Sequence, residues 1–494
     1  MGTTEQRILG IAGAGLILGI LGDLLLRTAP WGINVMLWTG AFLGAAAVLI
    51  RWQGIRVAPE TFWLSLPVVL FSAAIAWRDS NTLKLLNVTA ICVAFALAAL
   101  RSQSGRLVFG GVLEYSIGLL GALLRAIPGF AAGMNGVCSR LSLTKGFPKG
   151  KTMAVGRGIL IAIPLLLLFG KLLTDADASF EQLVRELLTW DFPSLFLHLG
   201  WITLCGAIGC GILYRILLAN DIPDPLPERP SFLSLGVIEA GVVLITLNLL
   251  FSGFIAAQFG YFFGGADVAA SSHALSIADY ARRGFFELVA VTLLVLPLLL
   301  SMHWLFRIES ARDNRTFGIL SGLLVAMLFV VMTSALHRMF LYQDMYGLTE
   351  LRLYTTVFMG WLALLFVWFL LTVLRGKRER FAFGAVAAGL ALLAMLNIIN
   401  PDGLIVLINT GRASSGKDVD ICYLATLSDD ALPGLIGALP RAKQPTRSYL
   451  SQKLLASLPE RQSADWRGWN WGAGRAMKEI RRRQIELMRM VSTP

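Results

Sequence analysis

Apolar runs of about 20 residues, the length a helix needs to cross a hydrocarbon core of ~30 Å, recur along this whole chain. Inside lipid a backbone must satisfy its own hydrogen bonds, which a helix does within one segment. Eleven such runs are read, near 8–26, 33–50, 61–77, 83–100, 158–175, 194–218, 233–257, 285–306, 317–337, 353–374 and 380–399. The composition agrees: 56% of residues are hydrophobic and 15% charged, where a soluble domain carries roughly 25% charged residues. Mean hydropathy is +0.68. The expected fold is an all-α, polytopic transmembrane helical bundle of about 11 spans, with a small, mainly helical C-terminal domain outside the membrane.

Orientation follows from charge. Between the fourth and fifth runs lie Arg101, Arg106, Arg125, Arg140, Lys145, Lys149, Lys151 and Arg157 against the single acid Glu114, and loops rich in Lys and Arg stay cytoplasmic. The N-terminus is then cytoplasmic, and an odd number of spans places 400–494 on the extracytoplasmic side. Residues 107–134 are apolar enough to span, but spanning would export the basic residues after them, so an interfacial or re-entrant segment is expected. No small-residue cleavage site precedes the second run, so the first is read as retained. Four segments result: 1–157 with spans one to four and the basic loop, 158–230 with two spans and a proline-rich linker, 231–399 with the last five spans, and 400–494. Five cysteines are present. Cys422 stands alone in the tail, which excludes a disulfide within it.

Three stretches stand out: Phe251-Ser-Gly-Phe-Ile-Ala-Ala-Gln-Phe-Gly-Tyr-Phe-Phe-Gly-Gly265, Asp279-Tyr-Ala-Arg-Arg-Gly-Phe-Phe-Glu-Leu288 and Tyr346-Gly-Leu-Thr-Glu-Leu-Arg352. The tail adds Asn400-Pro-Asp402, the run from Asp420 to Pro433 with its Asp429-Asp430 pair, and Trp466-Arg-Gly-Trp-Asn-Trp471 followed by Arg475-Ala476. Together, over roughly 230–475, they resemble an uncharacterised bacterial multi-pass membrane family, the domain of unknown function 4173. The resemblance implies a bacterial inner-membrane location. It carries no activity, cofactor or catalytic residue.

On this topology four polar clusters fall at the extracytoplasmic ends of spans: Gln258 and Tyr261; Tyr280, Arg282, Arg283 and Glu287; His337 and Arg338; Tyr346, Glu350 and Arg352. Four arginines there offer forked donors for an anionic group, with the glutamates as their partners and His337 titrating near neutrality. The same residues also suit interfacial anchoring, in which long side chains snorkel to the membrane surface. Glu239, a quarter of the way into the seventh run, and Asp23 are intramembrane acids, costly and functional by default.

No Walker A loop, Gly-x-Ser-x-Gly elbow, His-Glu-x-x-His or Rossmann glycine pattern occurs. No metal or other cofactor is expected: His198 and His303 sit at opposite ends of their spans and suit no shared haem. The net charge of +12 and the Trp466, Trp469, Trp471 cluster beside the basic helix 475–489 suit a membrane surface rather than nucleic acid. The leading expectation is binding or transport of an anionic solute or lipid. A sensor or scaffold contacting an envelope protein through its tail, and an envelope enzyme acting on a lipid-linked substrate, are the alternatives.

Overall fold

The computed structural model describes residues 4–27, 30–54, 62–101, 192–217, 236–263, 285–306 and 310–492, apart from 415, 418, 442, 443, 445 and 464. Nine helices among the described residues are long and apolar enough to cross a membrane: α1 (Thr4–Leu26), α2 (Ile33–Gln53), α4 (Asn81–Arg101), α5 (Phe192–Leu217), α6 (Val237–Phe263), α7 (Phe285–Leu305), α8 (Ala311–Tyr346), α9 (Glu350–Thr372) and α10 (Glu379–Ile399). A shorter apolar helix, α3 (Ser65–Trp77), lies between α2 and α4. These ten match ten of the eleven expected runs. The run at 158–175, the stretch 107–134 and the proline-rich linker fall outside the described residues.

Local chemistry sets several boundaries. Ser310 caps α8 by accepting from the Asp313 N–H, and Gly347 ends it at φ 79°, a left-handed value that favours glycine. Thr349 then caps α9 through the Arg352 N–H. Pro67 has no N–H to bond back to Trp63, which fits regular helix starting only at Ser65.

The bundle has two cores. One joins α1 to α5 around Phe42, Phe71, Ile75, Phe95 and Leu213. The other joins α6 to α9 around Leu244, Leu299, Leu324, Leu328, Phe366 and Phe369. Helix α10 serves both, placing Phe381 in the second and Leu393 and Leu396 in the first. Helices α1 and α5 approach through small residues: a Cβ on Gly19 would strike the Ile202 carbonyl and sit 3.3 Å from Gly206, and one on Gly15 would meet Cys210 at 2.8 Å. Without a hydrophobic force between helices in lipid, such small-xxx-small faces let backbones close to van der Waals contact.

After α10 the chain turns at Asn400, which has φ 58° and is followed by α11 (Pro401–Ser414). Six more helices complete a C-terminal unit: α12 (Ile421–Leu424), α13 (Leu432–Ala438), α14 (Thr446–Ala456), α15 (Leu458–Gln462), α16 (Trp471–Arg482) and α17 (Gln484–Ser492). Its own core collects Ile405, Val406, Leu435, Ile436, Leu439 and Ile480. The unit sits where α1, α3, α8 and α10 end and α2, α4 and α9 begin. The expected basic helix over 475–489 is broken at Arg483, the C-cap of α16, with φ −103° and ψ 19°.

Substituting Gly19 by valine forces α1 away from α5 and is expected to cost about 1–3 kcal/mol, as overpacking does. Gly13→Val, whose Cβ meets nothing within 4 Å, is the control. Thermal unfolding in detergent should fall for the first and stay for the second; equal midpoints would remove this packing account.

Candidate functional site

The three-residue turn between α3 and α4 carries Arg78, Asp79 and Ser80, and the C-terminal unit closes over it. Arg78 is 7% exposed. Its Nε donates to the Asn397 carbonyl at 2.7 Å and its Nη2 to the Ile398 carbonyl at 3.1 Å. Nη1 lies 3.7 Å from Oδ1 of Asp430, and the guanidinium covers the Trp77 ring at 4.3 Å. Those carbonyls belong to the last turn of α10, where four C=O groups lack helical partners and the helix dipole is negative. Arg78 therefore caps α10 while reaching the unit.

Two aspartates exchange across the junction. Oδ2 of Asp430 accepts from the Asp79 N–H at 2.7 Å and the Ser80 N–H at 3.4 Å, and Oδ2 of Asp79 accepts from the Asp429 N–H at 3.3 Å. Oδ1 of Asp79 also accepts from Lys84 and Asn470, each at 2.8 Å. Asp429 is held by both Nη atoms of Arg461. Burial pushes the Asp430 carboxyl above its ordinary range, against the backbone donors and Arg78 that favour its charge. Burial pulls the Arg78 guanidinium down, with Asp430 opposing and Arg475 adding repulsion.

Beside this junction, Asp402 is 1% exposed and accepts from Ser428 through Oδ2; burial raises its carboxyl, and Ser428 opposes. The Tyr423 hydroxyl accepts from the Glu350 N–H at 2.8 Å. A cleft of about 80 Å³ opens at the edge, lined by Trp77, Arg78, Asn400, Asp430, Trp471 and Arg475 among others.

The residues expected to form the ligand pocket fall partly within the described residues. Tyr280, Arg282 and Arg283 fall outside the described residues, as do the side chains of Gln258 and Tyr261 near the end of α6. Glu287 is exposed in the first turn of α7. On α8, His337 is exposed and Arg338 half-buried. Tyr346, Glu350 and Arg352 do come together at the α8–α9 turn. Arg352 stacks over Tyr342 at 4.0 Å and donates to the Gly347 carbonyl at 2.5 Å, so its guanidinium braces the turn. Oε1 of Glu350 accepts from Thr82 at 3.5 Å. The turn is gripped by α11: Asn409 accepts from the Leu348 N–H at 2.8 Å and donates to its carbonyl at 2.7 Å.

Helix α6 starts at Val237, so Glu239 lies exposed in its first turn rather than a quarter of the way in, where an acid complements the helix dipole. Because α6 runs parallel to α8, Asn248 bonding to Leu320 and Ser252 to Met327, Glu239 is at the end away from the C-terminal unit. Asp23 is buried but partnered, 2.5 Å from Nδ1 of His198 and 3.1 Å from Nε of Arg27. No group of three or more His, Cys, Asp or Glu suited to a metal occurs among the described residues.

Arg78, Asp79, Lys84, Asn87 and Asn397 escaped notice in the sequence. The signal was present: a cation and an acid in a three-residue turn too short to carry them out into water, and another cation in the first turn of the apolar helix that follows. The tryptophan motif 466–471 is explained by docking. Its Trp469 carbonyl accepts from the Ile33 N–H at 2.9 Å, Arg467 donates to the Leu24 carbonyl at 2.7 Å, and Asn470 binds Asp79.

The fold and this junction define a polytopic helical membrane protein carrying its own helical unit on one face. The model of the domain of unknown function DUF4153 matches residues 65–438, more than half of the 494 residues, and the chain belongs to that family. The match corrects the resemblance drawn from the motifs, which pointed to a domain of a different number. It begins at the first residue of α3 and ends at the last of α13, so it contains Arg78, Asp79 and Asp430 but not Arg475. No curated protein and no solved structure matches the chain.

Removing one partner of a buried ion pair strands the other and costs about 3–5 kcal/mol. Arg78→Met and Asp430→Asn are each expected to release the C-terminal unit to trypsin, and the double substitution should cost less than the sum of the two. A unit equally protected in both variants would count against the junction.

Proposed function

We propose that this protein binds an anionic group, of a solute or a lipid headgroup, at the cleft between Trp77 and Arg475, as the first step of sensing or moving it. The observation that carries the reading is the state of the charges. Asp430 accepts from the Asp79 and Ser80 N–H groups and pairs with Arg78, and Asp429 accepts from Arg461. Arg475 is exposed at the cleft mouth with no hydrogen bond or ion pair among the described residues. Arg78 pairs with Asp430, Arg461 with Asp429 and Lys84 with Asp79, which leaves Arg475 as the lining cation without a carboxylate among the described residues, flanked by Trp77 and Trp471. A guanidinium suits a phosphate or carboxylate because its fork donates two parallel bonds.

The bacterial inner membrane, with the N-terminus cytoplasmic and the C-terminal unit extracytoplasmic, belongs to the same proposal. Arg51, Arg312, Arg315, Arg375, Lys377 and Arg380 all lie at helix ends away from the unit, which fits the rule that Lys and Arg mark cytoplasmic loops. A phosphatase fused after residue 494 should be active outside the cytoplasm, and one inserted at 376 inactive. The reverse pattern would remove the extracytoplasmic site.

A charge-assisted bond is worth about 1.5–3 kcal/mol, so Arg475→Glu should weaken calorimetric binding of glycerol phosphate by at least about tenfold. Arg475→Lys should retain part of it. Being exposed, the position tolerates both changes, and an unaltered affinity would sink the reading.

A further inference from the structure

Helices α3 and α10 touch near both ends but part between them. Near the C-terminal unit Arg78 bonds to the carbonyls of Asn397 and Ile398, and towards the other face Leu97, Ala382, Leu64 and Val386 pack together. From this second contact, whose Leu64, Leu97 and Val386 belong to its lining, an open groove of about 540 Å³ runs towards Arg78, within the ~300–1,000 Å³ usual for ligand sites. Leu66, Leu70 and Phe71 of α3 line one wall, and Ala387, Leu390 and Ala394 of α10 line the other. From Phe383 to Ala394, at 1.5 Å per residue, the α10 wall is about 17 Å long, close to half of a ~30 Å hydrocarbon core.

The groove points at the cleft. Leu66, Leu70 and Trp77 follow one another at four and seven residues, on one face of α3, and Ala387, Ala391, Ala394 and Ile398 do the same on α10. Trp77 and Asn400, which line the cleft, each stand six residues beyond the end of the groove, about 9 Å along the helices. An apolar groove thus leads towards an arginine that has no ion pair among the described residues and stands between two tryptophans. Tryptophan and arginine are the side chains suited to the headgroup level.

We propose that this channel and cleft together hold one anionic phospholipid, with a single acyl chain between α3 and α10 and the phosphate at Arg475. This rests on the anion reading above and names its ligand class. Charge complementarity selects the headgroup, because the surplus charge beside Asp429 and Asp430 is positive. The apolar lining of the groove, about 17 Å long, selects a hydrocarbon tail. The small side chains Ala387 and Ala391 are exposed on the groove floor, leaving the space that the chain fills.

The full-length protein is tested in nanodiscs of phosphatidylglycerol or phosphatidylcholine, by native mass spectrometry of retained lipid, and in detergent by calorimetry with glycerol phosphate. Wild type should retain one phosphatidylglycerol and little phosphatidylcholine. Ala387→Trp and Ala391→Trp fill the groove at exposed positions and should lower lipid retention by at least about tenfold, as losing two buried methylenes would. Both should leave glycerol phosphate binding intact, whereas Arg475→Glu should lose both ligands. Met395→Trp, exposed and outside the groove lining, should change neither.

Glycerol phosphate binding without retained phosphatidylglycerol would overturn the lipid and leave the anion reading standing. Retention of lipid by the groove-filling variants would overturn the acyl seat, and equal retention of both lipids the headgroup seat. Binding of neither probe would end both proposals.

Discussion

The buried guanidinium of Arg78 is the constraint around which this structure is arranged. Taking such a charge out of water costs several kcal/mol after relaxation, so nearly every donor it carries has to find an acceptor. Two acceptors come from the last turn of α10, and Asp430 of the C-terminal unit supplies the countercharge. A single side chain of the α3–α4 turn thereby fixes three things at once: where α3 stops, where α10 stops and where the unit rests. Asp79 extends the arrangement, since its carboxylate reaches Lys84, Asn470 and the Asp429 backbone from the neighbouring position.

What α10 transmits follows from its membership of both cores. Phe381 packs with α9 at one end, and Leu393 and Leu396 pack with α1 to α5 at the other. Asn397, one residue from the Leu396 contact, exchanges amide bonds with Asn87 of α4 at 2.9 and 3.0 Å, each group donor and acceptor in turn. Polar pairs of this kind add roughly 0.6–2 kcal/mol in membranes, less than the packing around them, but they fix register along the helix. The Arg78 contacts lie on the same turn, so the register of α10 and the seating of the C-terminal unit are one geometric fact.

Nine spans and the shorter α3 were legible in the sequence because crossing a membrane is a local property, set by length and apolarity within one segment. Boundaries were less so: α8 runs to 36 residues, well past the expected 317–337, because Ser310 and Gly347 decide its ends and the apolar stretch does not. The tail was legible as a helical unit. The junction was not. Asp79 and Asp430 stand about 350 residues apart, and nothing in either neighbourhood names the other. Arg352 shows the opposite failure: an arginine beside a glutamate at a span end looks available, yet Tyr342 and the Gly347 carbonyl occupy it. Side-chain type tells what a residue is able to bind, and only the packing of the chain tells what has already claimed it.

The brevity of α3 follows from the same constraint. With Trp77 and Arg78 held at the end of α10, its 13 residues reach only about 20 Å into a core of ~30 Å. Its far end falls at Ser65, because Pro67 has no N–H to bond to Trp63 were the helix extended backwards. A short helix tethered at one end leaves its neighbours incompletely covered along the rest of their length. Leu66 and Leu70 on α3, and Phe383 on α10, are exposed there, facing a gap that no side chain of the described residues fills. Closing that gap would take larger residues at 387 and 391, where alanines stand. The opening between α3 and α10 is thus a consequence of where Arg78 has to be, preserved by the small residues opposite it.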